Sequence, residues 1–172
     1  GLHTGARVNM TLLPAAPGTG IVFRRQDLGD IELAAQWGNV VPSSLCTTLG
    51  NSDGVKIATI EHLMAALAGL EIDNVVVELD GPEVPVMDGS AAPFVFLIEC
   101  AGVVEQVAPR RGIKVLKPIR VGVNGNSASL VPADGFRLSF AIDFASSAIR
   151  HQELSYALDA ENFKAEISRA RT

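Results

Sequence analysis

The feature that most constrains the fold is the grouping of two apolar helical stretches among many short β-prone segments. Residues 59–69 place small and aliphatic side chains at helical spacing, and residues 93–101 form a second apolar helical stretch. Between them, residues 74–79 contain three consecutive valines, which favour a strand in a sheet covered on both faces. Because strands and helices are grouped and do not strictly alternate, the sequence predicts an α+β fold, a two-layer sheet/helix sandwich.

Six β-prone segments precede the first helix. Residues 31–33 and 37–41 are short extended pieces, and the other four segments pair off by the turns between them. Residues 8–13 and 21–24 flank a turn rich in Pro and Gly, so we expect a hairpin. Residues 45–49 and 55–60 flank Asn51-Ser52-Asp53-Gly54, which predicts a second hairpin. The second arm of that hairpin leads directly into the helix of residues 59–69.

Residue types at the helix ends predict how each helix begins and stops. Thr59 is the expected N-cap and Gly69 the expected C′ residue of the first helix. Ser90 is the expected N-cap of the second helix, and Gly102 its stop. Met64 and residues 94–97 are expected to belong to the core, and packing is the default role of Trp37, the single tryptophan.

The polar segment 106–112 is the expected linker, which predicts a first domain over residues 1–107 and an incomplete second domain over residues 108–172. Asp159 is the expected N-cap of a final helix over residues 160–169. Four strands are expected before it, at residues 113–116, 119–123, 127–131 and 136–144. The second half repeats the β-then-α order of the first half without a second helix, so we expect a fragment of a longer chain.

Composition excludes several classes of function. The net charge of −5 argues against nonspecific nucleic-acid binding, and no apolar run is long enough to be a transmembrane segment. An RNA-binding domain is further disfavoured, because the sequence lacks a strand that combines aromatic and basic residues. Cys46 and Cys100 form no CxxC pair, so we expect a reducing compartment and no disulfide framework.

Glu61 and His62 are the residues that most directly suggest chemistry. Both lie in the expected first helical turn, where the helix dipole favours an ionised carboxylate and a neutral imidazole. Those are the states required of a general base and of a zinc ligand. By itself the pair is weak evidence, because a lone histidine near a helix start is more often a capping or surface residue. Zinc also requires further ligands.

Six motifs in a fixed order make the interpretation more specific. They are residues 1–5 (GLHTG), 46–49 (CTTL), 59–67 (TIEHLMAAL), 69–74 (GLEIDN), 83–91 (EVPVMDGSA) and 168–172 (SRART). Together they resemble the zinc-dependent UDP-3-O-acyl-N-acetylglucosamine deacetylases of lipid A biosynthesis, which are cytoplasmic enzymes of Gram-negative-type bacteria. The resemblance runs from Gly1 to Thr172 and is weaker over residues 124–156.

The resemblance implies two α+β sandwich domains and removal of an N-acetyl group from a UDP-linked acylated glucosamine. It implies that His62 is the first ligand of a zinc ion (Zn²⁺) and that Glu61 is the general base. It also implies that the hydroxyl of Thr172 can donate a hydrogen bond to the developing oxyanion. His3 and Cys46 match positions that contact substrate or line the site. Their simpler alternatives are a turn residue and a small buried side chain.

The chain also departs from the family pattern. The family needs a second histidine and an aspartate, from an H-x-x-x-D helix, and another histidine as general acid. His151 matches none of these, and we expect it in a surface loop. The missing residues would follow Thr172, so we expect this chain alone to be inactive and to hold zinc poorly. Asp88 is expected to form a turn or cap rather than to orient a ligand.

One alternative function stays open on the sequence alone. A noncatalytic module on the same scaffold could bind a nucleotide-sugar or a protein partner, because fold alone does not fix function. The presence of Glu61, His62 and Thr172 together favours the enzyme.

Overall fold

The computed structural model describes residues 1–171, and the chain divides into two compact units. The first unit contains Gly1–Ala108 and the segment that begins at Phe163, and the second unit is Pro109–Asn162. The sheets and helices confirm the α+β class. The predicted domains, residues 1–107 and 108–172, stay a prediction, because compact units in one structure do not show which segments fold independently.

The first unit contains two sheets and two helices of nine and ten residues. Its helices are α1 (Glu61–Gly69) and α2 (Ala92–Ala101). Its strands are β1 (Met10–Pro14), β2 (Ile21–Arg25), β3 (Ile31–Ala34), β4 (Val40–Val41), β5 (Thr48–Gly50), β6 (Lys56–Ile57) and β7 (Val75–Leu79). No helix within residues 1–171 is long and apolar enough to cross a membrane.

The larger sheet has the strand order β1-β7-β2-β3. The predicted hairpin of β1 and β2 is wrong, because β7 lies between them, antiparallel to β1 and parallel to β2. The connection from Pro14 to Ile21 is long enough to cross one intervening strand. Val75, Val77 and Leu79 are buried, whereas Val76 and Glu78 are only half-buried. The expectation that the valine strand is fully covered on both faces is therefore wrong.

The smaller sheet confirms the second predicted hairpin. β5 pairs antiparallel with β6, with Leu49 opposite Ile57, and β4 adds at the other edge of β5. The side chain of Asn51 stabilises the turn, because its Oδ1 accepts hydrogen bonds from the backbone N–H groups of Asp53 and Val55, both at 3.0 Å. This hairpin delivers the chain to the start of α1.

The predicted first helix is confirmed, but both of its predicted caps are wrong. Ile60, not Thr59, precedes the first helical residue and makes no side-chain cap. Gly69 is still helical, Leu70 follows it, and Glu71 takes the left-handed conformation at φ 57°. Leu63, Ala66 and Leu67 face the core as their spacing predicts.

The second helix ends at Gly102 as predicted. Ala91 holds its N-cap position, although Ser90 Oγ accepts a hydrogen bond from the Ala92 N–H at 3.2 Å. Phe94 is buried, but Phe96 and Leu97 are 65% and 51% exposed, so the prediction that residues 94–97 are all core is wrong. A 3.6-residue period turns two of four successive side chains away from the core.

Two further residues that were predicted to pack in the core, Trp37 and Met64, are not fully buried. Trp37 is 92% exposed, so the expected packing role is wrong for the described part of the chain. It opens a short 3-10 turn, Trp37–Asn39, that contains no buried residue. Met64 is half-buried, because it lies beside the buried stripe of α1 and not within it.

Gly69 packs directly against the ring of Phe163, which is 4% exposed. A Cβ at residue 69 would overlap that ring, so we expect Gly69→Ala to lower the free energy of unfolding by about 1 to 3 kcal/mol. In a Phe163→Ala background the same change is expected to be neutral or to stabilise by up to about 1 kcal/mol, because alanine is the better helix former. Urea denaturation of the four proteins of this cycle measures the difference.

The second unit contains two separate antiparallel pairs. β8 (Ile119–Val123) pairs with β9 (Asn126–Leu130), and β10 (Arg137–Asp143) pairs with β11 (His151–Ala157). Three of the four predicted strands are therefore confirmed, whereas residues 113–116 form no strand. The prediction of a surface loop at His151 is wrong, because His151 begins β11 opposite Asp143.

The final helical segment is shorter and less regular than predicted. A single α-helical turn, α3 (Ala160–Asn162), continues as a π-helical turn over Phe163–Ile167. Asp159 acts as the predicted N-cap, because its Oδ1 accepts a hydrogen bond from the Asn162 N–H at 2.8 Å.

Candidate functional site

The candidate site is built on the three residues that connect β6 to α1. Ala58 forms a backbone bridge with the loop after β7: its N–H donates to Pro82 at 2.9 Å, and its carbonyl accepts from Val84 at 3.1 Å. On its other side, the Ile60 N–H donates to the Thr47 carbonyl at 3.3 Å. The start of α1 is therefore held between two separate loops.

Glu61 is half-buried at the first position of α1. Its Oε2 accepts a hydrogen bond from the Thr47 N–H at 3.0 Å. Thr47 thus binds two consecutive residues at the start of α1. Its carbonyl accepts a hydrogen bond from the Ile60 N–H, and its own N–H donates to the Glu61 carboxylate. These two hydrogen bonds fix the loop of Thr47 to the start of α1.

Cys46 is half-buried, and its Sγ lies 3.5 Å from the Thr48 hydroxyl. The Glu61 carboxylate therefore contacts the residue next to Cys46 in the chain, Thr47. The contact of the thiol with Thr48 requires no chemistry of the sulfur.

His62 is half-buried and follows Glu61 on the same helical turn. Successive helical residues point about 100° apart, so the imidazole and the carboxylate diverge from one another. Within residues 1–171 no group of three or more His, Cys, Asp or Glu side chains is arranged to hold a metal ion. The described residues therefore do not complete a zinc site around His62.

Glu83 is a fully buried acidic residue beside this junction, and it was not among the predicted site residues. Its side chain is 0% exposed, and its carboxylate accepts four hydrogen bonds. The donors are the His3 N–H at 2.9 Å, the Thr4 N–H at 2.9 Å, the Thr4 hydroxyl at 2.7 Å and the Thr59 hydroxyl at 3.0 Å. One carboxylate therefore joins the N-terminal loop to the residue two positions before Glu61.

The hydrogen bonds keep Glu83 ionised despite its burial. Burial raises the pKa of this carboxyl, but the hydrogen bonds from His3, Thr4 and Thr59 outweigh that effect and lower the pKa from 4.5 to about 2. The charge is thus stabilised by N–H and O–H donors, which favour the ionised form.

This pKa predicts a pH dependence of stability that can be isolated by mutation. The pKa of Glu83 is lower in the folded state than in the unfolded state, so the ionised carboxylate stabilises the fold above pH 4.5. This contribution is lost as the pH falls toward 2. At about 1.4 kcal/mol per pKa unit, the fall from 4.5 to about 2 corresponds to a full contribution of at most about 3 to 4 kcal/mol. We expect the difference in unfolding free energy between the unmodified protein and Glu83→Gln to shrink over this range. Urea titrations at pH 7, 4.5 and 3 measure it; a difference that is independent of pH would contradict the prediction.

The other predicted site residues do not lie on the first turn of α1. The side chain of His3 is exposed, while its backbone N–H is held by Glu83. Asp88 forms the predicted turn, because its Oδ1 accepts from the Ser90 N–H at 3.0 Å and the Ser90 hydroxyl at 2.7 Å. These hydrogen bonds, followed by the nearby charge of Arg171, lower the pKa of Asp88. Thr172 lies outside the described residues.

Three contributors to this site were not predicted from the sequence: Thr47, Thr59 as a buried donor, and Glu83. A signal for Glu83 was present, because it is an ionisable residue inside the otherwise apolar run Pro82-Glu83-Val84-Pro85. A charge placed in such a run is buried only where donors surround it. The contact of Thr47 with Glu61 uses a backbone N–H, which leaves no mark on residue type.

The matches to known proteins cover the whole length of the chain. A family model described as UDP-3-O-acyl N-acetylglycosamine deacetylase matches residues 1–172. A Myxococcus xanthus relative is 54% identical over 173 residues, which cover 100% of this chain and 55% of the relative. A Saccharophagus degradans relative is 50% identical over 175 residues, covering 100% of this chain and 57% of the relative.

A Photobacterium profundum relative is 47% identical over 175 residues, which cover 100% of this chain and 58% of the relative. All three relatives carry the name UDP-3-O-acyl-N-acetylglucosamine deacetylase. The chain thus spans a little over half the length of these relatives, and it matches the family model from its first residue to its last. The chain therefore belongs to the UDP-3-O-acyl N-acetylglycosamine deacetylase family.

Proposed function

We propose that this chain takes part in the zinc-dependent hydrolysis of the N-acetyl group of UDP-3-O-acyl-N-acetylglucosamine, a step of lipid A biosynthesis in the cytoplasm. The names of its relatives supply the reaction and the substrate. The observation that carries the proposal is the half-buried Glu61 carboxylate, held at 3.0 Å by the Thr47 N–H on the helical turn that also bears His62.

Glu61 is the proposed general base. A carboxylate held by a hydrogen bond at the start of a helix is oriented, so it can accept a proton from a water molecule as that water attacks the acetamide carbonyl. A C–O bond forms as Glu61 takes a proton from the water. The C–N bond then breaks while that proton is passed to the leaving nitrogen, and acetate and the free glucosamine amine are the products. The hydrogen bond from Thr47 uses one carboxylate oxygen, Oε2, so the other oxygen, Oε1, is the proposed proton acceptor.

His62 is the proposed first ligand of the zinc ion. Residues 1–171 do not fit a complete zinc site, because they hold no cluster of three suitable side chains. The further ligands are therefore proposed to come from polypeptide outside this chain. It follows that the isolated chain of 172 residues is expected to bind zinc weakly and to lack turnover.

Three other residues have proposed roles with substrate. His3 and Cys46 are proposed to contact the UDP-linked acylated glucosamine, supported by their links to the start of α1 through Glu83 and Thr47. Thr172 is proposed to donate its hydroxyl to the developing oxyanion, a role supported by the resemblance alone. No nucleic-acid partner is proposed, given the net charge of −5.

The test compares the isolated chain of residues 1–172 with the natural protein at its full length. Zinc content is measured by elemental analysis, and deacetylation is measured as release of the free amine from UDP-3-O-acyl-N-acetylglucosamine. We expect stoichiometric zinc and turnover in the natural protein and neither in residues 1–172. Equal activity in the two would remove the need for outside ligands. Binding of the nucleotide-sugar by the natural protein without turnover would favour the noncatalytic module.

A further inference from the structure

Thr59 has a backbone conformation that its residue type disfavours. Its φ is 58°, in the left-handed region, and its side chain is both β-branched and 2% exposed. Branching at Cβ makes this region costly, and such residues persist only where surrounding contacts hold them. Thr59 lies two positions before Glu61, so its backbone sets the direction in which α1 leaves β6.

The contact that holds Thr59 is the buried carboxylate of Glu83. Oε1 of Glu83 accepts from the Thr59 hydroxyl at 3.0 Å and from the His3 N–H at 2.9 Å. Oε2 accepts from the Thr4 N–H at 2.9 Å and the Thr4 hydroxyl at 2.7 Å. Each oxygen therefore has two donors, and one oxygen is shared between the N-terminal loop and the start of the helix.

The backbone on both sides of this carboxylate is also fixed. Ala58 and Glu83 form a parallel bridge, so Glu83 cannot move without moving the residue before Thr59. The N-terminal loop closes tightly on the same group, because a Cβ at Gly1 would overlap Glu83 Oε2. A carboxylate that accepts four hydrogen bonds, and whose neighbouring backbone is fixed in this way, has little freedom to rearrange.

We propose that Glu83 is a positioning residue: its carboxylate holds Thr59 in the left-handed conformation and ties the loop of His3 and Thr4 to the start of α1. Glu61 and His62 then keep a fixed position relative to that loop. The effect on catalysis rests on the proposed function, whereas the effect on the loop does not. Glu83 itself touches no reacting group and acts only through Thr59 and the loop.

The central test compares Thr59→Val with Thr59→Ser in the natural protein at its full length. Valine keeps the β-branched shape and the backbone cost but removes the donor to Glu83, whereas serine keeps the donor. We expect Thr59→Val to lower kcat by about 10- to 100-fold per folded molecule, since small misplacements of reacting groups are costly. Thr59→Ser is expected to retain kcat within about 3-fold, because its hydroxyl still donates to Glu83.

A second measurement does not depend on activity. Backbone amide hydrogen exchange at His3 and Thr4 is expected to accelerate at least 10-fold in Glu83→Gln, because an amide NH₂ replaces one acceptor oxygen and faces donors. Glu78→Gln is the matched control, since Glu78 lies on β7 in an ion pair with Arg24. It is expected to leave exchange at these two amides unchanged. If Glu83→Gln does not fold, exchange in Thr59→Val replaces it, with the same direction expected.

The outcomes separate the two proposals. No turnover by the unmodified natural protein would refute the proposed function and leave the exchange measurement to decide on Glu83. Unmodified kcat in Thr59→Val, normalised to folded protein, would overturn the positioning role in catalysis. Unchanged exchange at His3 and Thr4 in Glu83→Gln, or in its replacement Thr59→Val, would overturn the tie between the loop and the helix.

Discussion

Glu61→Gln is expected to lower kcat for deacetylation by about 10²- to 10⁴-fold in the natural protein, the range for loss of a general base. Glutamine has nearly the shape of glutamate, and its carbonyl oxygen can still accept the hydrogen bond from the Thr47 N–H that Glu61 accepts at 3.0 Å. The fold at the start of α1 should therefore persist while the proton acceptor is lost. Steady-state kinetics at saturating substrate measure the effect.

The control for this variant is Glu32→Gln, the same chemical change on β3. The Glu32 side chain is 53% exposed and forms an ion pair with Arg24 at 2.8 Å, and such surface pairs contribute at most about 1 kcal/mol. Its kcat is expected to stay within about 2-fold of the unmodified protein. Full activity in Glu61→Gln would show that another group accepts the proton.

Phe94→Ala is expected to lower the free energy of unfolding by about 3 to 5 kcal/mol. Phe94 is 1% exposed in α2, so its removal leaves a cavity in the core of the first unit. Phe96→Ala on the same helix is the matched control, because Phe96 is 65% exposed. Its effect is expected to stay within about 0.5 kcal/mol.

Urea denaturation followed by circular dichroism measures both variants under one condition. The pair removes the same atoms from positions two residues apart, so a difference between the variants reports burial and not residue type. Equal destabilisation by the two substitutions would mean that α2 presents a different face to the core.

The two longer helices, α1 and α2, and most strands could be predicted from the sequence because local patterns determine them. Helical spacing placed Leu63 in the core, and the turn at Asn51 predicted its hairpin correctly. The larger sheet could not be predicted in this way. Insertion of β7 between β1 and β2 is a long-range choice, and nothing in the turn between β1 and β2 encodes which strand will lie beside them.

The predicted burial of two side chains was wrong. Trp37 and Phe96 are large and apolar, yet they are 92% and 65% exposed, because the direction of a side chain depends on its element and not on its hydropathy. β11 was missed for the opposite reason. Its sequence, residues 151–157, is largely polar, and pairing with β10 gives it the strand conformation.

The candidate site was predicted in part. Glu61 and His62 were placed correctly on the first turn of α1, because the helix pattern around them is strong. The contacts that fix this turn were not predictable, since Thr47 acts through its backbone and Thr59 acts from a left-handed conformation that threonine rarely adopts. Position in the fold, more than residue type, gives these groups their roles.

Zinc content decides whether His62 is a metal ligand, and it is compared between the natural protein and its His62→Ala variant. Elemental analysis after extensive dialysis is expected to find about one zinc ion per unmodified molecule and a clearly substoichiometric content in the variant, because loss of one of few ligands weakens a zinc site severely. Equal zinc content in the two proteins would contradict the assignment of His62 as a ligand, and with it the role of this helical turn as part of a deacetylase centre.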